Sequence, residues 1–371
     1  MNKYDIDTPA LLIDSAVLGR NLERMQRVAE GFGVRLRPHT KTHKSPHIAR
    51  LQVEMGAAGV TVAKVGEAEV MVDAGLDDIL IANQVIGAEK LRRLAALARR
   101  VRLASLVDSR EGVALLDEAF REAGTGIDVL IEIDTGKGRC GLTDLDEIAA
   151  IAQQVAETET LGLRGVETHE GHVPGGAQSA GQMEERATSA GQRLVEVANA
   201  LRHRGHAIED VSVGSTPAAP YTASAPGVTE MRPGTYVFSD VNQMSIGQAS
   251  PEDCALSVWA TVISRPAADR AVLDAGSKSL FAEPARRAFA FTDYDGFGYI
   301  RQAPAARIVT VNEEHGVVRI PPGTAFPAIG QQVEIIPNHV CPAVNLHEEF
   351  YVVDGEDVVE VWPIAARGKV R

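Results

Sequence analysis

One stretch, Arg37-Pro38-His39-Thr40-Lys41-Thr42-His43-Lys44, sets a lysine among two imidazoles and further cations, just after an apolar, β-like segment. Neighbouring positive charge disfavours an ammonium ion and lowers a lysine pKa. A neutral amine is what Schiff-base chemistry needs, and Lys41 is the candidate. The competing reading is a solvated basic loop, the better one for an arbitrary basic octamer. Three other groups of residues shift the balance. His339-Val340-Cys341 places an imidazole and a thiol at i and i+2 on a strand-like segment, so that both project from one face. That pair suits zinc and leaves positions open for substrate and water. Its alternative is a buried cysteine beside a hydrogen-bonded histidine. Gly214-Ser215-Thr216 is a small-residue turn whose amides and hydroxyls can donate to a phosphate, although alone such a triplet is an ordinary loop. His169 and His172, in Thr168-His169-Glu170-Gly171-His172, suit acid–base work or holding a cofactor ring. Otherwise they are a polar strand end.

The elements that must carry these residues alternate. Apolar runs at 10–14, 34–37, 59–63, 78–82, 101–107, 129–133, 163–167 and 210–213 read as strands. Helical spacing of apolar residues fills the gaps, notably at 18–32, 88–100 and 182–203. Strand–helix alternation over about 240 residues predicts parallel βα units. That many in a row predict a closed (β/α)8 TIM-like barrel, with the chemistry at the C-terminal ends of its strands. Lys41, Asn83-Gln84, Arg139, His169, the Gly214 turn and Arg232-Pro233-Gly234-Thr235-Tyr236 all fall there. After about residue 245 the segments become longer and β-rich, punctuated by Gly and Pro. The expected division is a barrel over 8–245 and a smaller, mostly antiparallel β domain over 246–371, which 1–7 joins. Cys140 and Cys254 read as packing residues, His203 and His206 as structural or solvated, and Asn312 to Gly316 as a charged turn, either solvated or a lip over the barrel mouth.

With 371 residues, 45% of them hydrophobic, the chain can bury a large core. Its net charge of −13 argues against nucleic acid as a partner. No apolar run approaches the roughly 20 residues of a membrane helix, and the first residues lack the apolar core of a signal peptide. Three cysteines do not make a disulfide framework. The expectation is a soluble cytoplasmic protein.

Taken in order, these motifs resemble the fold-type III pyridoxal-phosphate enzymes, specifically the D-threonine aldolase and D-serine dehydratase group. Thr8-Pro9-Ala10, the Arg37–Lys44 stretch, Gly138-Arg139-Cys140-Gly141, Gly214-Ser215-Thr216-Pro217, Arg232 to Tyr236, Asp274-Ala275-Gly276, Glu314-His315-Gly316, His339 to Pro342 and Ala366-Arg367-Gly368 carry the resemblance across nearly the whole chain. It implies an alanine-racemase-like barrel followed by a β domain. It implies pyridoxal 5'-phosphate joined to Lys41 as a Schiff base. Gly214, Ser215 and Thr216 would hold the phosphate with backbone help near Gly234 and Tyr236. His169 and Arg139 would lie near the cofactor. His339 and Cys341 would bind a divalent metal, zinc ahead of manganese or magnesium. The implied substrate is a small D-amino acid and the implied assembly a homodimer.

Two reactions follow from that resemblance. Deprotonating a β-hydroxyl breaks Cα–Cβ and gives glycine and an aldehyde. Removing the α-proton with loss of hydroxide gives a 2-oxo acid and ammonia. Similarity across the chain, Gly138 to Gly141 and the tail favour the aldolase. Cys341, in place of the aspartate associated with aldolases, and Gly-Ser-Thr-Pro favour a D-serine or D-3-hydroxyaspartate dehydratase. An amino-acid racemase and a non-catalytic pyridoxal-phosphate carrier share the barrel. The β domain and the metal motif count against the carrier.

Overall fold

The structure is a computed structural model and describes residues 1–284 and 294–371. Strand β1 (Ala10–Asp14) is followed by helix α1 (Ser15–Phe32), and the chain then alternates. Strands β2 (Arg35–Leu36), β3 (Val60–Val62), β4 (Asp78–Gln84), β5 (Arg102–Val107), β6 (Ile127–Glu132), β7 (Leu161–Glu167), β8 (Asp210–Val213) and β9 (Glu230–Met231) form one parallel sheet in the order β2-β9-β8-β7-β6-β5-β4-β3. Helices α2 (Pro46–Glu54), α3 (Val65–Asp73), α4 (Ala88–Ala98), α5 (Arg110–Ala123), α6 (Leu145–Ala156) and α7 (Ala180–His203) lie between them. The strands are buried on both faces, as parallel strands under helices must be. Ile79, Ile81, Val129 and Ile131 turn outward to the helices, while Leu80, Ala104, Leu106 and Leu130 fill the inside.

The two ends of this sheet meet beyond β2. A lone parallel bridge joins His39 to Thr61. The Thr40 amide donates to the Thr61 carbonyl and the Thr61 amide to the Pro38 carbonyl, both at 2.8 Å. The Thr61 hydroxyl reaches the Arg37 carbonyl at 3.0 Å and the Thr40 hydroxyl the Thr61 carbonyl at 3.1 Å. The segment that leads to Lys41 therefore closes the barrel.

The second sheet is mostly antiparallel. It contains β10 (Leu256–Ala267), β11 (Arg270–Leu273), β12 (Tyr299–Ile300), β13 (Arg307–Val311), β14 (Gly316–Arg319), β15 (Gln332–Ile336), β16 (Glu349–Asp354) and β17 (Asp357–Pro363). It also contains β1, which corrects the expected boundary. Residues 10–14 do not open the barrel: β1 runs antiparallel to β10 and parallel to β16, with Leu12 opposite Ser257 and Tyr351. The crossing into the barrel comes at Asp14, whose side chain accepts from the Val17 amide and caps α1. One apolar core runs through both parts, joining barrel residues such as Leu36 and Val213 to Leu256, Ile335 and Phe350. Among the described residues no helix is long and apolar enough to cross a membrane.

Charge fills the barrel at its N-terminal end. Arg37, 1% exposed, donates from Nε to Glu230 at 2.8 Å and from Nη1 to Asp78 at 2.6 Å. Arg164 pairs with Asp210, both buried. Gly59 has no side chain because a Cβ there would stand 2.4 Å from Arg37 Nη1. Burial pushes the Glu230 carboxyl up, but Arg37 outweighs it and the net shift is downward. Removing one member of such a pair strands the other, at a cost of about 3–5 kcal/mol. Glu230→Ala should therefore lower the midpoint of urea denaturation clearly, whereas Arg27→Ala, in an exposed helix pair with Glu23, should scarcely move it.

Candidate active site

At the opposite, C-terminal end of the barrel strands a cavity of about 470 Å³ opens against the β domain. Lys41, Arg139, His169, Gly214, Ser215, Thr216, Gly234, His339 and Cys341 line it together. Tyr236 and His172, also named from the sequence, do not.

Lys41 follows the barrel-closing segment by one residue, in a turn made when the His43 and Lys44 amides donate to the Thr40 carbonyl. Its pKa is lowered, and the cause differs from the one the sequence implied. Burial comes first; the Cys341 thiolate opposes it, and Arg139 and Arg232 add to it. The cations beside it in sequence are spent elsewhere: Lys44 is paired with buried Glu67 and Arg37 with Glu230 and Asp78. Neither imidazole carries charge at pH 7. Burial, reinforced by Lys41, holds His39 low, and burial takes His43 down to about 3.

Across the cavity the loops after β8 and β9 come together. Among the described residues, the amides of Ser215, Thr216, Gly234 and Thr235 donate to no group of the chain. The Ser215 hydroxyl is buried without a partner. Ser215 holds φ at +131°, a strained value for a non-glycine residue that clusters at functional sites. Gly234 must be glycine, since a Cβ would lie 2.8 Å from Thr42 Oγ1 and 2.9 Å from the His39 carbonyl. These unpaired donors late in the barrel are the groups that an anion would need. Two expected members act indirectly. The Gly214 amide is taken by the Glu170 carboxyl at 3.0 and 3.1 Å. The Tyr236 amide donates to Thr216 Oγ1 at 3.1 Å, and its buried phenol accepts from Gln52 at 2.9 Å.

His339 and Cys341 enter from the β domain. They do not alternate along a strand as expected: His339 is extended and Cys341 lies in the first turn of the short helix Val340–Val344. Both nevertheless face the cavity, hydrogen-bonded to one another. Burial pulls the imidazole down, but the Cys341 thiolate and Asp240 outweigh it and carry His339 up to about 9. Burial pushes the thiol up, but His339, the Thr42 hydroxyl at 3.2 Å and Lys41 bring it below its ordinary value. Thr42 thereby ties the lysine turn to the His339–Cys341 pair.

The sequence reading named Arg232 but not its partners, and it passed over the lining carboxyls Glu167 and Glu132. Arg232 donates to Glu167, to the Thr168 carbonyl at 2.9 Å and to Ser212. Burial raises Glu167 to about 7 against the pull of Arg232. Glu132 accepts from Gln84 at 2.6 Å and lies 3.6 Å from Arg139. Burial, with Lys41 and Arg139, keeps His169 neutral. Cys140, expected in the packing, is exposed at the rim because the Gly138–Gly141 turn carries it outward. His172 sits in a separate groove with Gly136 and Arg186 of α7, since three residues of loop beyond His169 turn it outside the barrel mouth. The charged turn 312–316 lies outside the cavity.

Comparison with known proteins agrees with this arrangement. The family model for the alanine racemase N-terminal domain matches residues 13–241, and that for the serine dehydratase domain matches 255–353. D-threonine aldolase of Arthrobacter sp. is 38% identical over 98% of this chain and 93% of its own length. The crystal structure of D-threonine aldolase from Filomicrobium marinum superposes with a TM-score of 0.91 at 36% identity, covering 99% of this chain and 98% of that one. D-threo-3-hydroxyaspartate dehydratase, solved as a cysteine-to-alanine variant in a metal-free form, gives 0.90 at 33% identity over 98% of each chain. A barrel with unpaired backbone donors facing a lysine, a β domain that brings imidazole and thiol to its mouth, and these full-length relatives lead to one assignment: the chain belongs to the fold-type III pyridoxal-phosphate enzymes of the D-threonine aldolase and D-serine dehydratase group.

Proposed function

We propose that the chain is a pyridoxal-phosphate- and divalent-metal-dependent lyase for D-3-hydroxy-amino acids, cleaving D-threonine-like substrates to glycine and an aldehyde. The observation that carries this reading is the shared cavity: Lys41, the unpaired amides after β8 and β9, and the His339–Cys341 pair all open onto it.

The residues fit both groups. Unpaired amides and an orphaned Ser215 hydroxyl are what a phosphate requires. An imidazole paired with a low-pKa thiol is a donor set for zinc rather than manganese or magnesium. When bound, the cofactor supplies an electron sink for the bond broken at Cα and the metal a Lewis acid at the substrate oxygen. The chain supplies the rest. Lys41, its pKa lowered by burial, gives up its proton more readily than a free lysine, which favours attachment through its amine, and it can afterwards serve as a base. His169 and His39, neutral at pH 7, can take the proton of the substrate hydroxyl. Arg139, half exposed at the mouth, offers a charge to the substrate carboxylate. Burial of the cavity floor keeps water from competing for these protons.

Similarity over the whole chain supports the aldolase. The thiolate at Cys341 supports a second reading, in which Lys41 removes the α-proton and hydroxide leaves to give a 2-oxo acid and ammonia. A dehydratase relative has itself been solved metal-free as a cysteine variant. Incubation of the purified protein with D-threonine, pyridoxal phosphate and zinc separates the two. Glycine with acetaldehyde is expected; 2-oxobutyrate with ammonia would replace the first reading by the second, and D-alanine racemisation without metal would replace both. Lys41→Ala should abolish the visible Schiff-base absorption band, and a mutant that keeps it removes Lys41 from its role. Cys341→Ala should lose bound metal and turnover together. Because His339 holds its proton up to about 9 beside the thiolate, metal must displace that proton. Zinc affinity, read by competition with a chromogenic chelator, should therefore weaken about tenfold for each pH unit lost below about 9.

A further inference from the structure

We propose that Glu170 is the positioning residue of the anion cradle, fixing the Gly214-Ser215-Thr216 turn through the Gly214 backbone. The inference rests on the reading of the cavity as a pyridoxal-phosphate site, and it concerns a residue that does not itself line that cavity.

Glu170 is fully buried. Its two carboxyl oxygens stand 3.1 and 3.0 Å from the Gly214 nitrogen, and its own amide donates to the Gly214 carbonyl at 3.2 Å. The loop after β7 and the loop after β8 are thus clasped at both polar groups of one glycine. The clasp commits the Gly214 amide away from the cavity, and the next two amides, of Ser215 and Thr216, are the ones left without partners. It also holds the backbone where Ser215 adopts φ +131°. Such a conformation persists only when its surroundings over-determine it. Without Glu170 the Gly214 amide would be a buried orphan donor and Ser215 would be free to relax, closing the cradle.

A carboxylate behind a phosphate would oppose binding, and the environment of Glu170 avoids this. Among the described residues it has no ion pair. The charges that face it are Arg232, which is already bonded to Glu167 and Ser212, and Glu167 itself. Burial raises the Glu170 carboxyl to about 8, against the pull of its own amide, Arg232 and the Gly214 amide, with Glu167 adding to the rise. At pH 7 the group is therefore uncharged. Above that value it ionises, and phosphate binding must take up a proton.

The test titrates full-length apoprotein with pyridoxal phosphate and with pyridoxal, at pH 6.5 and pH 9, for the wild type, E170Q and E170A. The ratio of the two affinities isolates the phosphate contribution from Schiff-base formation at Lys41. In the wild type this ratio should fall about tenfold between the two pH values, one pH unit above the Glu170 pKa. E170Q, whose side-chain oxygen still accepts from Gly214 and never ionises, should match the wild type at pH 6.5 and show no fall. E170A should lose at least about tenfold of the ratio at both pH values while keeping its affinity for pyridoxal. If E170A does not fold, the flat profile of E170Q decides the matter. Wild-type ratios at both pH values in both variants would overturn the role of Glu170 and leave the cofactor reading standing. A wild type that binds neither compound, or prefers neither, would overturn the cofactor reading and this inference with it.

Discussion

The barrel closes through the segment that presents its lysine. Most of the sheet is joined by strand ladders, but the last seam depends on the few hydrogen bonds that Pro38, Thr40 and the Arg37 carbonyl exchange with Thr61. A backbone at a seam of this kind has little freedom, because shifting it opens the ring. Lys41 inherits that rigidity one residue later. Sites set on elements hold their geometry better than sites on free loops, and here the turn is bound to the barrel on one side and, through Thr42 and Cys341, to the β domain on the other.

Polar groups run along the barrel axis from that seam to the cavity. Arg37 bonds Glu230, Glu230 accepts from Ser212, and Ser212 accepts from Arg232, which reaches Glu167 and the Thr168 carbonyl. Opposite charges alternate along this line, so each buried ion has the partner its burial demands. The apolar packing of Leu80, Ala104, Leu106 and Leu130 occupies the adjoining side. The floor of the cavity is therefore a fixed array of charges in a medium that screens them weakly. Burial in that medium is what moves the groups around it from their ordinary pKa values: Glu167 and Glu170 upward against the pull of Arg232, His39 and His169 downward with Lys41 and Arg232 adding to the shift.

Much of this is legible in the residues, and the exceptions share a cause. Alternating apolar runs specify the barrel, and their ends specify the cavity, because side chains at strand C-termini converge whatever the loops do. The run 10–14 is misplaced by its pattern because an apolar strand buried on both faces reads alike in a parallel barrel and in the middle of a mixed sheet. The lowered pKa of Lys41 is legible too, but its sequence neighbours suggest the wrong cause; Lys44 and Arg37 spend their charge on Glu67, Glu230 and Asp78, which lie 23 or more positions away. Glu167 and Glu170 stay hidden for the same reason, since nothing local marks a carboxyl as buried. His172 misleads because two histidines three apart look like a pair, which a loop does not make them.

Strand β1 is made first and housed last. Its neighbours in the sheet, around Ser257 and Tyr351, lie about 245 and 340 positions further along the chain. As synthesis proceeds from the N-terminus, the segment Ala-Leu-Leu-Ile must wait, apolar and unpaired, until β10 has emerged, and its second neighbour, β16, follows later still. Contacts of such span are slow to form and leave a sticky edge open in the interval. The barrel and the β domain are thus successive in sequence yet sewn together by one thread. Severing the polypeptide between them would leave the first piece with an uncovered strand and the second with a gap in its sheet.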